Sequence, residues 1–429
     1  MVAKLVTWIA RLRGKRSVKV VRKTLVMLFP FALLGSVAQI LAQSVFSKYG
    51  FLNNIFGLSD RLPYFNKIYY FFTNFSFLTL GIIALIAAYQ AAYYQAKYLH
   101  RDRLMAGLTG LVSLLLLTVR PLNETGHLNF NWGILGTHGL LVGLLVGYLV
   151  GWLFYFFGGQ AVEEVEHTDD LLARAFLALP AITLAIILCL AFNLGLSFFK
   201  GQEFLTNLIA NIEVFADNQD KFWMVILLGG LSNILAWVGL AGPYNTTGTV
   251  YADQKYLDNL NYALSHHSAW NVPYKYTATT LYQAFGTFGG VGATLALLIA
   301  ITLVSHSKRA LRVSRWSFLP VFFNVNSPLM IGLPLFFNPL YLVPFVLAPC
   351  INMALASLAF SLHMLPVLTY PVPEGTPGVL VAYIGTNAQF GSLLLGILLL
   401  GLDVLLYLPF VKLADLVGSK LDGGDVYEA

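Results

Sequence analysis

Residues 323–339 read "FNVNSPLMIGLPLFFNP". Three asparagines, three prolines, a glycine and a serine crowd into an otherwise apolar half of the chain. A helix that only crosses a membrane has no use for that mixture. Pro328, Pro334 and Pro339 each remove a backbone donor and clash with the preceding turn. The carbonyls they free, with Asn324, Asn326, Ser327 and Asn338, make a hydrogen-bonding surface. Facing lipid, every unsatisfied group on it would cost several kcal/mol. The stretch therefore reads as a helix break turned toward a polar cavity, the way many transporters build a substrate site near the bilayer midplane.

The sequence around it supplies the bilayer. Of 429 residues, 58% are hydrophobic and 11% charged, about half the charged share of a soluble protein. A soluble domain has no interior large enough to hide that much apolar surface. Uncharged apolar runs recur at 24–43, 70–94, 104–119, 133–157, 174–198, 222–241, 280–304, 340–365 and 392–411, of roughly the 17–25 residues a hydrocarbon core requires. Irregular stretches at 242–279, 316–339 and 370–391 read as re-entrant, since non-helical backbone at membrane depth needs protein or water to satisfy it. The expectation is an all-α polytopic membrane protein with about ten transmembrane helices plus re-entrant segments.

Charge sets the orientation. The N-terminal stretch to Lys23 carries eight Lys or Arg and no acid. No signal-peptide cleavage pattern follows it. It is expected to stay in the cytoplasm, against anionic headgroups. "KYLHRDR" (97–103) is basic and falls on the same side. "EEVEHTDDLLAR" (163–174) falls there too, although acidic. "HSKRALRVSR" (306–315) is expected as a cytoplasmic loop. The net charge of +6 comes from these membrane-flanking clusters and gives no nucleic-acid signal. Cys189 and Cys350 sit in apolar runs as small hydrophobes. His266 and His267, in "SHHSAW", are expected in an exposed loop with no third metal ligand nearby. No metal, cofactor or disulfide framework is indicated.

Three more breaks resemble the first in chemistry. "LTYPVPEGTPGVLVAYIGTN" (368–387) contains three prolines, three glycines and Glu374. "WVGLAGPYNTTG" (237–248) contains Asn245, and "NWGILGTHGL" (131–140) contains His138. Together they offer amides, hydroxyls and aromatic faces with almost no fixed charge. That lining suits a neutral polyhydroxylated solute and suits an inorganic ion poorly. The candidate substrate-binding residues are Asn324, Asn326, Ser327, Glu374, Thr376, His138 and Asn245. His138 reads equally as a packing histidine. Asp403, an acid inside an apolar run, is expected to be structurally paired, and Arg120 to end a helix.

The stretch 323–356, "FNVNSPLMIGLPLFFNPLYLVPFVLAPCINMALA", resembles the signature of enzyme IIC of the bacterial sugar phosphotransferase system, lactose/cellobiose/diacetylchitobiose branch. That signature runs F-N-x-N-E-P, then G-x-P, N-P and later P-F-x-x-A-P-x-x-N. "FGTFGGVGATLALLIAITL" (285–303), "GILGTHGLLVGLLVG" (133–147) and "DVLLYLPFVKLAD" (403–415) resemble three further family segments in the same order. The resemblance implies a homodimer of all-helical subunits, with ten spans and two re-entrant hairpins per chain, of the elevator type. A basic cytoplasmic segment (1–23) precedes a membrane domain (24–415), and a cytoplasmic tail (416–429) follows. Within the membrane domain about 24–200 would form the dimerisation half and about 222–415 the substrate-transport half. It implies a β-disaccharide of the cellobiose, chitobiose or lactose type, a bacterial plasma-membrane location, and phosphorylation of the sugar by a separate phosphocysteine-bearing enzyme IIB fed by IIA.

The departures fall on the chemistry. The family glutamate that holds sugar hydroxyls is Ser327 here. "GLAG" (239–242) puts Ala241 where the family has the histidine beside the accepting hydroxyl. "VPEGTPG" (372–378) puts Glu374 where the family has a stacking tryptophan. No residue is therefore assigned as catalytic, and two readings stand. Either the site is rebuilt for another substrate, with Glu374 supplying the lost carboxylate, or phosphoryl transfer is lost and the chain is a non-phosphorylating transporter or a membrane sensor.

Overall fold

The computed structural model describes residues 2–120, 129–160, 168–198, 211–212, 214–216, 220–244 and 254–422. Apart from one two-residue ladder, its regular structure is helical. The first part contains α1 (Val2–Gly14), α2 (Arg16–Ile40, continued by a π-turn Leu41–Val45), α3 (Phe51–Phe56), α4 (Leu58–Arg61), α5 (Phe65–Leu80), α6 (Ile83–Tyr98) and α7 (Arg103–Thr118). Strands β1 (Val119–Arg120) and β2 (Asn129–Phe130) pair antiparallel. Then follow α8 (Trp132–Leu135), α9 (Leu140–Phe157), α10 (Thr168–Phe198), α11 (Phe222–Val238) and α12 (Gln254–His266). A π-helix (Ala278–Gly286) leads to α13 (Thr294–Val304), α14 (Lys308–Phe322), α15 (Ser327–Gly332), α16 (Pro339–Ser361), α17 (Gly378–Gly385) and α18 (Phe390–Asp422).

Six helices among the described residues are long and apolar enough to cross a membrane, and three shorter apolar helices accompany them. Their outward faces carry Phe71, Leu149, Trp152, Phe192, Leu398 and Leu405, as lipid contact requires. Several expected spans are interrupted. The run 70–94 breaks at Gly81 between α5 and α6, and 280–304 breaks into the π-helix, a glycine loop and α13. The basic stretch 306–315 is mostly helix α14, with Trp316, Phe318 and Leu319 exposed. Its period-3.6 pattern of Arg and apolar residues is that of an interfacial helix. His266 ends α12 and its ring stacks on Tyr262, one helical turn away at 4.0 Å. Cys189 and Cys350 are free thiols.

The chain forms two compact units, both discontinuous in sequence. One comprises Met1–Ala10, Leu33–Ser76 and Ile209–Ala429; the other comprises Arg11–Ala32 and Phe77–Leu208.

The second unit is built on small residues. Glycines recur every fourth position in α9, at Gly143, Gly147 and Gly151, and so share one face. That face lies against α6. A Cβ on Gly143 would sit 2.4 Å from the Ala84 carbonyl oxygen, and one on Gly147 2.3 Å from that of Ala88. Gly110 of α7 approaches Ala88 from a further side, at 2.8 Å. Small residues let membrane helices approach to backbone contact, where dispersion rather than water exclusion holds them. Polar ties fasten α10 to α7 at both ends. Asp102 caps α7, accepting from Leu104 N (3.0 Å) and Met105 N (3.1 Å), and takes a two-pronged bond from the Arg174 guanidinium. Burial pushes the Asp102 carboxyl up, but the bonds from Arg174, Met105 and Leu104 outweigh it and hold the group below its ordinary value. At the other end Asn193 Nδ2 donates to Leu116 O (2.6 Å) and Val119 O (2.9 Å).

In the first unit, α18 packs along α13, α16 and α17, while α16 also packs on α11 and the π-helix. Both ends of the described chain meet here, through Lys420 Nζ donating to Thr7 Oγ1 at 2.9 Å.

Candidate functional site

The broken stretch 323–339 becomes a fastening point. Helix α14 ends at Phe322, and Asn324 takes a left-handed conformation (φ +63°), which asparagine tolerates better than most residues. Its Oδ1 accepts from Gly289 N at 2.9 Å, and its Nδ2 donates to Thr376 O at 3.4 Å. Asn326 precedes α15 and donates from Nδ2 to Val291 O at 3.0 Å. The two amides thus grip the loop 287–293.

That loop is left-handed at Gly289, Gly290, Gly292 and Ala293. Such backbone forms no helical ladder, so its donors and acceptors need outside partners. Asn233 Oδ1 accepts from Gly292 N (3.0 Å), Tyr407 donates to Gly292 O (2.6 Å) and Thr294 Oγ1 donates to Gly289 O (2.6 Å). The glycines also admit neighbours that a side chain would displace. A Cβ on Gly292 would lie 2.2 Å from the Phe345 ring. The second break joins at Gly378, where a Cβ would fall 2.5 Å from Asn324 Oδ1. Three chain breaks, 287–293, 323–326 and 376–378, therefore meet at Asn324.

Thr376 is buried, and its hydroxyl donates to Pro373 O at 2.7 Å. Ser327, the first residue of α15, has a hydroxyl with no hydrogen bond among the described residues. Glu374 sits at the hairpin tip, and the carboxylate accepts from Ser47 Oγ at 2.7 Å. Its backbone pairs with the segment after α2: Glu374 N donates to Tyr49 O (2.8 Å) and Phe51 N to Glu374 O (2.9 Å). Gly375 (φ +64°) brings the tip within 2.7 Å, from a built Cβ, of the Ser44 Cβ. Phe46, in the same segment, packs between the rings of Phe65 and Phe72.

Of the seven candidate residues, Asn324, Asn326 and Thr376 come together in the knot, with Ser327 next to it in sequence. Glu374 lies two residues from Thr376, but one carboxylate oxygen is held by Ser47. His138 belongs to the other unit, exposed on a 3₁₀ turn whose Gly139 is buried, with no hydrogen bond to its ring among the described residues. Asn245 lies outside the described residues. Sequence reasoning missed Ser47, Asn233 and Tyr407. A lone asparagine inside the apolar run "LLGGLSNILAW" was the available signal for Asn233, since a buried amide in hydrocarbon must find backbone to bind.

The model of the family "Phosphotransferase system, EIIC" matches residues 22–349. The lactose-specific EIICB component of Staphylococcus haemolyticus (strain JCSC1435) is 26% identical over 433 residues, covering 96% of this chain and 71% of that protein. The lactose-specific EIICB component of Streptococcus mutans serotype c (strain ATCC 700610 / UA159) is 24% identical over 392 residues, covering 89% and 67%. Among solved structures, the transporter ChbC, the IIC component from the N,N'-diacetylchitobiose-specific phosphotransferase system, is 22% identical with a TM-score of 0.42, over 98% of this chain and 97% of that one. The family match spans most of the sequence, including the glycine loop, the asparagine knot and the start of α16, and the chain belongs to the EIIC family of the phosphotransferase system.

Proposed function

We propose that the chain is the membrane permease of a sugar phosphotransferase system and carries a β-disaccharide of the lactose or chitobiose type. The observation that carries this reading is the family match over residues 22–349. The names of the relatives support a lactose-type sugar. Family membership implies a sugar substrate and IIA and IIB partner proteins, and it implies the cell membrane as location. We further assign two chains per permease, ten spans with two re-entrant hairpins in each, and a cytoplasmic N-terminus. Dimerisation falls to about 24–200 and sugar carrying to about 222–415. The sugar-carrying half moves and the dimerisation half stays fixed.

The binding residues we assign are Asn324, Asn326, Ser327, Glu374, Thr376, His138 and Asn245. Their chemistry supports the assignment unevenly. Glu374 keeps one carboxylate oxygen for sugar hydroxyls, and Ser327 keeps its hydroxyl. Asn324 contributes by holding the loop rather than by its own amide, both ends of which are engaged. Phosphoryl transfer requires positioning and charge handling at the accepting oxygen. Ala241 and Ser327 stand where the family has histidine and glutamate, so His138 and Glu374 are the first candidates to serve. The test is uptake of labelled lactose and chitobiose into vesicles, with and without phosphorylated IIB. Donor-dependent appearance of sugar phosphate is the expected result. Free sugar crossing at equal rates in both cases would overturn the phosphorylating reading, and no binding of either sugar would overturn the permease reading.

A further inference from the structure

Asp403 lies within α18 at 1% exposure, in the apolar run "LLLGLDVLLYLPF". Acids inside membrane segments are costly and rarely idle. Among the described residues its hydrogen bond comes from one side chain, Asn352 of α16, whose Nδ2 lies 2.7 Å from Asp403 Oδ2. The same Nδ2 donates to Phe285 O of the π-helix at 3.1 Å. Asn352 is fully buried, and its Oδ1 has no donor. No basic side chain forms an ion pair with Asp403 among the described residues.

The neighbouring groups do not repair this. Tyr407, one turn along α18, spends its hydroxyl hydrogen on Gly292 O. Tyr341 on α16 interacts with Tyr407. Tyr282 on the π-helix is buried and its hydroxyl is itself without a partner. Helix α13 carries no titratable side chain, and α17 carries only Tyr383. The arrangement leaves a buried acid with a single donor beside a buried amide oxygen with none. Unpaired buried acceptors are uncommon enough to demand a cause.

A hydrogen on Asp403 supplies it. A carboxylate only accepts, whereas a carboxylic acid also donates one O–H. With that O–H directed at Asn352 Oδ1, acid and amide close a two-bond ring, N–H to C=O and O–H to O=C. No net charge then remains in the apolar packing, which removes the largest cost of burying the group. We propose that Asp403 is a proton-binding site: its carboxyl takes one proton from water and shares it with Asn352, and the bound proton ties α16, α18 and the π-helix together. Loss of the proton breaks one of the two bonds and leaves a bare charge, so conditions that remove it loosen the helices that frame the glycine loop. This role does not depend on which sugar is carried or on phosphoryl transfer.

Infrared spectroscopy of the full chain in lipid at neutral pH tests it. Among the described residues the buried acids are Asp102 and Asp403, and Asp102 is ionised against Arg174. A carboxylic-acid carbonyl band that shifts in heavy water is therefore expected in the wild type and absent in Asp403→Asn. The exchange Asp403→Asn with Asn352→Asp keeps one acid and one amide, and should restore the band. In melting measurements the wild type should lose stability as pH rises from the ordinary carboxyl range through the value at which the folded group gives up its proton, while Asp403→Asn, a neutral isostere able to donate to Asn352, should not share that part of the loss. A wild type with no acid band at neutral pH overturns the proposal. If Asp403→Asn does not fold, raising the pH of the wild type decides the same question: the acid band must give way to a carboxylate band, and an acid band unchanged by pH overturns the proposal.

Discussion

At Glu374 one side chain has two demands on it. One carboxylate oxygen accepts from Ser47, and the other is proposed to take sugar hydroxyls. A hydrogen bond to a charged group is worth about 1.5–3 kcal/mol, so Glu374→Gln should weaken sugar binding roughly 10- to 100-fold at 1.4 kcal/mol per decade. Calorimetry on the purified protein measures this, and unchanged affinity removes Glu374 from the site. Ser47→Ala is expected to lower the melting temperature through the freed hairpin tip. Asp102 offers a second test, by pH. Its folded-state carboxyl is held below the ordinary value of 3.8, so its contribution to stability is complete above that value. The contribution is lost as pH falls through the lower, folded-state value. Asp102→Asn should flatten this part of an acid melting curve, and a mutant curve parallel to the wild type at every pH would remove Asp102 from the acid response.

Among the elements, α9 depends on the absence of side chains. Gly147→Val would press a branched side chain into the Ala88 backbone, now 2.3 Å from a built Cβ. Overpacking of this kind costs about 1–3 kcal/mol. Gly195→Ala, where a Cβ meets nothing within 4 Å, is the control and should be neutral or slightly stabilising in the same thermal-shift measurement. Equal melting points for both would show that α6 and α9 pack loosely. The elements also show what the sequence could disclose. Prolines and asparagines at 323–339 announced a break, because proline acts locally. The π-helix gave no such sign, since "ATTLYQAFG" reads as an ordinary apolar turn of helix. Asn324 was legible as an amide with a purpose, but the loop it holds was not. Its amide answers donors and acceptors that exist only because residues 289–293 turn left-handed, a fact of tertiary structure that no local pattern carries.

For the whole molecule, the proposed pairing of two chains is open to native mass spectrometry from detergent, with two chains expected per particle. A monomer at every concentration, still able to take up sugar in vesicles, would falsify the dimer and with it the fixed platform against which the other half moves.

The bond network between Glu374 and the Ser44–Phe51 segment has a consequence for biosynthesis. Residues 44–51 leave the ribosome well before Glu374 does. The 132 residues of Phe77–Leu208 are made in between. At about 5–20 residues per second that stretch alone takes roughly 7–26 s. Throughout it, Tyr49 O and Phe51 N lack their eventual partner. A nascent chain stalled before residue 374 keeps those polar groups open, and so carries a mark of incompleteness that the finished protein has erased.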